Sequence, residues 1–88
     1  MAVSQPDELT VMAQEELNSA CSLTWPELKR ITPWGDSFEG FAPSGRTVEI
    51  ERRYLWALDP EGAIIVEVEV RDAAAREGVE TRAILHKP

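Results

Sequence analysis

The sequence predicts an α+β fold, with an N-terminal helix and a short second helix packed on one face of a three- to four-stranded antiparallel β-meander. Three observations lead there. Apolar residues recur at three-and-four spacing from Leu9 to Cys21, a second helix start follows at Thr24, and Arg46 to Asp72 alternates apolar and polar residues on either side of a Pro-Gly turn. The chain 1–88 is expected to form one domain, with a helical part over 4–31, a connector over 32–37 and the meander over 38–86.

Ser4-Gln5-Pro6-Asp7 reads as a helix start, with Ser as cap, Pro in the first turn and acids near the positive end of the dipole. The helix should run to about Ser19 or Ala20, with Leu9, Met12, Ala13, Leu17, Ala20 and Cys21 on one face and Glu8, Gln14, Glu15 and Asn18 away from it. Cys21 has no histidine near it in sequence and reads as a small buried hydrophobe. Thr24-Trp25-Pro26-Glu27 repeats the capping signal and opens a helix to about Ile31, ended by Pro33 and Gly35. Two helices joined by a turn suggest a helix-turn-helix motif, but no third, recognition-length helix follows.

The connector holds Trp34 between Pro33 and Gly35. It is read as a plug closing one end of the core, the alternative being an exposed anchor for a ligand or partner. Phe38 to Ala42 then forms a short edge strand, and Ala42-Pro43-Ser44-Gly45 turns the chain so that Phe38 pairs with Ile50 and Gly40 with Val48. That register points Phe41 outward and sets Glu39 opposite Glu49, a like-charge pair.

In the central hairpin Val48, Ile50, Tyr54, Trp56 and Leu58 share one parity, facing Ile64, Val66, Val68 and Val70 of the second run. Arg52 is the charged exception on that side. Asp59-Pro60-Glu61-Gly62 reads as a type I turn with Gly62 left-handed, which pairs Asp59 with Ala63. Trp56 then falls opposite Val66, Tyr54 opposite Val68, Arg53 opposite Glu69 and Glu51 opposite Arg71. Asp72 to Gly78 reads as a loop with one turn of helix, and Val79 to about His86 as a fourth strand beside the third, with His86 at its fraying end.

Charge narrows the function. A formal net charge of −7 argues against phosphate-rich partners, so neither nucleic acid nor an anionic membrane surface is expected. One cysteine closes no intramolecular disulfide, and no apolar stretch reads as a signal peptide or span, so the expected compartment is the cytoplasm. No nucleophile with its base, phosphate loop or metal-ligand spacing is evident, so no catalytic residue, cofactor or metal is assigned. Glu49, Glu51, Glu67 and Glu69 read as solvated surface, since strand neighbours on one face splay apart.

The expected function is that of a small acidic, non-enzymatic protein-interaction module, a homodimer or a regulator of a larger assembly. Its partner is another protein or a second copy. Phe41, Leu55, Ala57 and Ile65 are the partner-binding candidates, apolar residues left uncovered among charges on the outer face. The alternative is a small-anion binding domain using Trp34, Arg52, Tyr54 and Trp56 between sheet and helices. On that reading the Arg52 head lines the pocket with Tyr54 and Trp34; the competing expectation is that its stem packs under the helix and its head snorkels out to meet Asp72 or an acid of the first helix. An enzyme or an acidic nucleic-acid mimic ranks below both.

Overall fold

The computed structural model describes residues 7–74 and 77–88. Its elements are α1 (Glu8–Cys21), α2 (Trp25–Ile31), β1 (Gly35–Phe41), β2 (Thr47–Trp56), β3 (Ile64–Asp72) and β4 (Gly78–Leu85). The strands make one antiparallel sheet in the order β1-β2-β3-β4, each paired with its neighbour in sequence. α1 lies across β3 and β4, and α2 touches β3. This is the two-layer α+β arrangement expected from the hydrophobic pattern.

α1 forms because its apolar residues fall on one side at helical spacing. Leu9, Ala13, Leu17 and Ala20 are buried, large and small in alternation, so the helix axis can approach the β-branched row Ile64, Val66, Val68 and Val70 beneath it. Met12 and Cys21 pack at the margin of the same core. Ser4, Gln5 and Pro6 lie outside the described residues. The described helix begins at Glu8, with Asp7 at the N-cap position, and the Asp7 carboxylate turns to Arg46 instead of to the helix amides.

At α2 the capping box is as expected: the Glu27 amide donates to Thr24 Oγ1, and the Thr24 amide donates to Glu27 Oε1 at 2.9 Å. Leu28 is its buried anchor. Trp25 reaches away from it to donate from Nε1 to the Gly62 carbonyl at 2.8 Å, while Lys29 Nζ meets Glu61 Oε1 at 2.5 Å. Both contacts clamp the β2–β3 loop.

That clamp accompanies a register different from the expected one. Trp56 stands opposite Ile64, Tyr54 opposite Val66, Arg52 opposite Val68 and Arg53 opposite Glu67, a slip of two residues from the sequence reading. The turn itself is also different. Gly62 N donates to Asp59 O, and it is Glu61, not Gly62, that carries a positive φ of 66°. Pro60 second and a left-handed residue third is the type II pattern, which closes its own bond without pairing Asp59 to Ala63. The ladder ends instead where Ala57 N donates to Ala63 O at 2.9 Å. Leu58 consequently sits in the loop and is exposed, not on the core face. Because side chains repeat every two residues, the slip leaves every other core assignment on the correct face.

The first hairpin has the expected register, with Phe38 opposite Ile50 and Glu39 opposite Glu49, closed by a turn in which Gly45 has φ 96°. β1 starts earlier than expected, at Gly35, so part of the supposed connector is strand. Gly35 passes so close to β2 that a Cβ there would lie 2.3 Å from the Arg52 carbonyl oxygen, which only glycine permits. After β3, residues 75 and 76, within the expected turn of helix, lie outside the described residues, and β4 begins at Gly78.

Arg46 ties the end of the sheet to α1. Its Nε meets Glu8 Oε2 at 2.6 Å, its Nη1 meets Asp72 Oδ2 at 3.0 Å and Glu77 Oε1 at 3.2 Å, and its Nη2 meets Asp7 Oδ1 at 3.3 Å. Asp72 is therefore held by Arg46, not by Arg52.

The observed register makes a direct prediction. Arg53 Nε lies 3.0 Å from Glu67 Oε1, whereas its nearest approach to Glu69 is 3.8 Å. Double-mutant cycles with Arg53→Met should give a coupling of about 0.2–1 kcal/mol to Glu67→Gln and a smaller one to Glu69→Gln. Stronger coupling to Glu69, measured by chemical denaturation, would restore the other register.

Candidate interaction surfaces

The sheet face opposite the helices is built from residues of one parity, and the register arranges them in rows. At one end Leu55, Ile65 and Ile84 lie side by side across β2, β3 and β4. Next comes Arg53, Glu67 and Arg82, then Glu51, Glu69 and Glu80, and then Glu49 and Arg71 with Glu39 on β1. Arg53 stands among acids: its Nε meets Glu67, its Nη2 meets Glu80 Oε2 at 2.7 Å and its Nη1 lies 3.2 Å from Glu51 Oε2. The Glu67 bond is the first cause of an Arg53 pKa held well above the ordinary guanidinium value. Arg71 pairs with Glu49 and lies 3.3 Å from Glu69. The guanidinium groups thus stand where a cation would have to sit among Glu49, Glu51, Glu67 and Glu69. Among the described residues no group of His, Cys, Asp or Glu is arranged to hold a metal ion.

The partner-binding candidates separate on this face. Leu55 and Ile65 are neighbours and Ala57 follows them toward the loop, whereas Phe41 stands at the opposite end of the sheet, 74% exposed. Ile84, 53% exposed beside Ile65, completes the apolar row and was missing from the sequence-derived set. Its signal was available in the alternation of β4, where Ile84 shares parity with Glu80 and Arg82, but that strand alternates too weakly to orient alone.

On the helix side, Trp34, Arg52 and Tyr54 come together with Leu23, Ile31, Gly35 and Asp36 around an open cleft of about 360 Å³. Trp56 does not line it; the indole packs against the core one turn of the ladder away, opposite Ile64. Trp34 is not the expected plug, since its side chain is 70% exposed at the rim. Its backbone explains its place: the carbonyl accepts from Tyr54 N at 3.1 Å, which extends the β1–β2 ladder and keeps the residue at the sheet edge.

Arg52 is neither free for a ligand nor turned to Asp72. Its Nε donates to Asp36 Oδ1 at 2.8 Å and its Nη2 bonds Asp36 Oδ2, a two-pronged pair, with Glu16 of α1 3.8 Å away and the Phe38 ring beneath the guanidinium at 5.0 Å. The Arg52 bond holds Asp36 below the usual carboxylate range and Asp36 in turn raises Arg52. Burial pushes the Tyr54 phenol up and the Cys21 thiol up, so neither is poised to ionise near neutral pH. His86 is exposed beyond β4.

Three further carboxylates share the depression seen at Asp36: Glu8 through the Ser44 hydroxyl, Glu27 through the Thr24 amide and Glu61 through Lys29. A folded-state pKa below the unfolded one means the unfolded chain takes up protons first as pH falls. The stabilisation is complete above the unfolded values, near 4, and is lost as pH drops toward the folded ones. Thermal midpoints should be flat from neutral pH to about 5 and fall steeply below about 4. Asp36→Asn should lower the neutral-pH midpoint and shallow that acid slope, and an unchanged slope would remove the Arg52 pair from the account.

Comparison of the chain with protein-family models, curated proteins and solved structures finds no match in any of the three.

Proposed function

We propose that this chain is a small acidic protein-interaction module that works without catalysis, docking another protein or a second copy. The observation that carries this reading is the uncovered sheet face. Both helices lie on the other side, and the outer face presents the apolar row Leu55, Ile65 and Ile84 at one end of a field of paired charges. A row of large apolar side chains framed by a polar field of glutamates interleaved with arginines has the layout of an apolar contact core with a charged rim. The charged field gives orientation, because each guanidinium is already held by neighbouring acids and need not be ordered on binding.

Changing Ile65 to Lys tests the reading, with Ile84→Lys as the milder companion. Light scattering after size exclusion, together with affinity capture, should show self-association or partner capture lost in both variants, with circular dichroism unchanged. Wild type and variants behaving alike in both assays would overturn it. Unfolding of the Ile65 variant alone leaves Ile84→Lys to decide, since that side chain is half in water.

A second reading is supported by the cleft that Trp34, Arg52 and Tyr54 form. Its apolar wall and aromatic rim suit a small ligand, but an anion must displace the Asp36 carboxylate from the Arg52 fork, and Glu16 adds a further negative charge. Removing that competitor is the test. With Asp36→Asn, small carboxylates or phosphate should raise the thermal midpoint more than they raise wild type, and Arg52→Met should abolish the effect while tolerating the fold. No anion-dependent shift in either background ends the ligand reading.

A further inference from the structure

The β1 edge goes further than the outer face, and the inference drawn from it rests on the interaction-module reading. In the β1–β2 ladder Ala42 N donates to Arg46 O at 2.9 Å and Tyr54 N donates to Trp34 O at 3.1 Å. Opposed residues of an antiparallel pair alternate between exchanging both bonds and exchanging none. With Phe38 opposite Ile50, the even-numbered residues of β1 therefore bond inward to β2. Gly35, Ser37, Glu39 and Phe41 point their N–H and C=O groups away from β2, on a side where no strand pairs with β1 among the described residues.

Edges of this kind are usually blunted by Lys, by Pro, by a bulge or by a covering element. β1 has no Lys, Arg or Pro and pairs with β2 without interruption; its charges are Asp36, which Arg52 holds, and Glu39. The opposite edge differs in bearing a cation and a covering helix. β4 carries Glu80 and Arg82, of both signs, on its outer face and has α1 packed against it.

Side chains along β1 specify what the edge can accept. Glu39 stands opposite Glu49, whose carboxylate is taken by Arg71, and among the described residues Glu39 forms no ion pair. Phe41 is exposed beside it on the same face. On the helix side the Phe38 ring is 39% exposed, with Arg52 stacked on one side of it. An added strand would place one side chain near Glu39 and Phe41, where a cation meets both a carboxylate and an aromatic face, and the next near Phe38, where an apolar group is suited. A second copy would instead bring another Glu39 and another net charge of −7 to the same edge.

We propose that β1 captures an extended basic segment of a partner protein, with cationic and apolar residues in alternation, as a fifth strand of the sheet. Main-chain bonds to Gly35, Ser37, Glu39 and Phe41 hold it, and the alternating side chains select it.

The probe is a capped nine-residue peptide of alternating lysine and valine, titrated into the isotopically labelled protein and followed by amide shifts and hydrogen exchange. Amides of Ser37, Glu39 and Phe41 should shift and gain protection. Glu39→Lys should weaken binding by about tenfold or more and turn preference toward a glutamate–valine peptide. Ser37→Pro should abolish binding with the fold kept, because the proline replaces an N–H that faces outward. The same peptide with its backbone N-methylated on alternate residues serves if that variant fails to fold, and it should not bind.

Equal binding of the N-methylated peptide, or shifts confined to the Leu55, Ile65 and Ile84 row, overturns the proposal. So does a dimer formed through β1. If the peptide fails to bind while Ile65→Lys still abolishes association, the edge proposal falls and the interaction-module reading stands; failure of both assays removes both.

Discussion

The contact between α1 and the β3–β4 half of the sheet is the constraint from which the rest of the structure follows. A helix with its side chains is about 10–12 Å wide and strands are spaced about 4.8 Å apart, so one helix shelters two or three strands. α1 has fourteen residues and lies over β3 and β4. β3 is then central and buried on its helix side at every second residue from Ile64 to Asp72, whereas β1 lies beyond the shelter and is exposed along nearly its whole length. The charged Arg52 and the half-exposed Phe38 are tolerable on the helix-side face only because they fall at this unsheltered margin. There the guanidinium can keep both its aromatic neighbour and its carboxylate partner within reach of water.

Arg46 fixes where α1 can sit. Its guanidinium is a rigid fork, and it takes acids from the start of α1, from the end of β3 and from the loop leading to β4. Asp72 is buried, its Oδ1 also accepts from Ala74 N at 2.8 Å, and its Oδ2 needs a cation beside it. The same Glu8 that bonds Arg46 accepts from the amide and hydroxyl of Ser44, which joins the β1–β2 turn to the arrangement. One end of the helix is therefore held by charge, while its body is held by packing. Charge at that end sets the angle, since the smooth Leu and Ala stripe would accept several.

Much of this was legible in the sequence, and the misses have identifiable causes. Periodicity gave both helices, all the strands and the faces of the core residues other than Leu58, because burial on one side is a local property of the pattern. The Thr24 capping box and the Ala42 to Gly45 turn were legible because each closes on its own neighbours. The central register was not. Its loop is held by Trp25 and Lys29 from a different element, and contacts at that separation leave no mark in the local alternation. Trp34 misled for a related reason: the aromatic suggested a buried plug, but its carbonyl belongs to the sheet ladder at the edge. Among the candidate residues, Trp34, Arg52 and Tyr54 do converge and Leu55 and Ile65 do adjoin. Trp56 and Phe41 were grouped by parity with residues that the sheet places elsewhere.

The charges of the outer face limit what the proposed interaction could bury there. An apolar layer laid over the rows of Arg53, Glu67, Glu51 and Glu69 would strip water from many charges at once, a cost that their mutual pairing offsets only in part. A partner of the kind proposed would instead leave most of those rows wet and take its apolar contact at the ends, on Leu55, Ile65 and Ile84 or along β1. Acids outnumber bases on this face, so on the proposed reading a partner bearing cations would offset the charge of Glu39, which faces Glu49 while Arg71 is taken up by Glu49. The paired interior of the charge field and the Glu39 rim at β1 are thus consistent with the proposed partner for the backbone edge, one that is extended and basic.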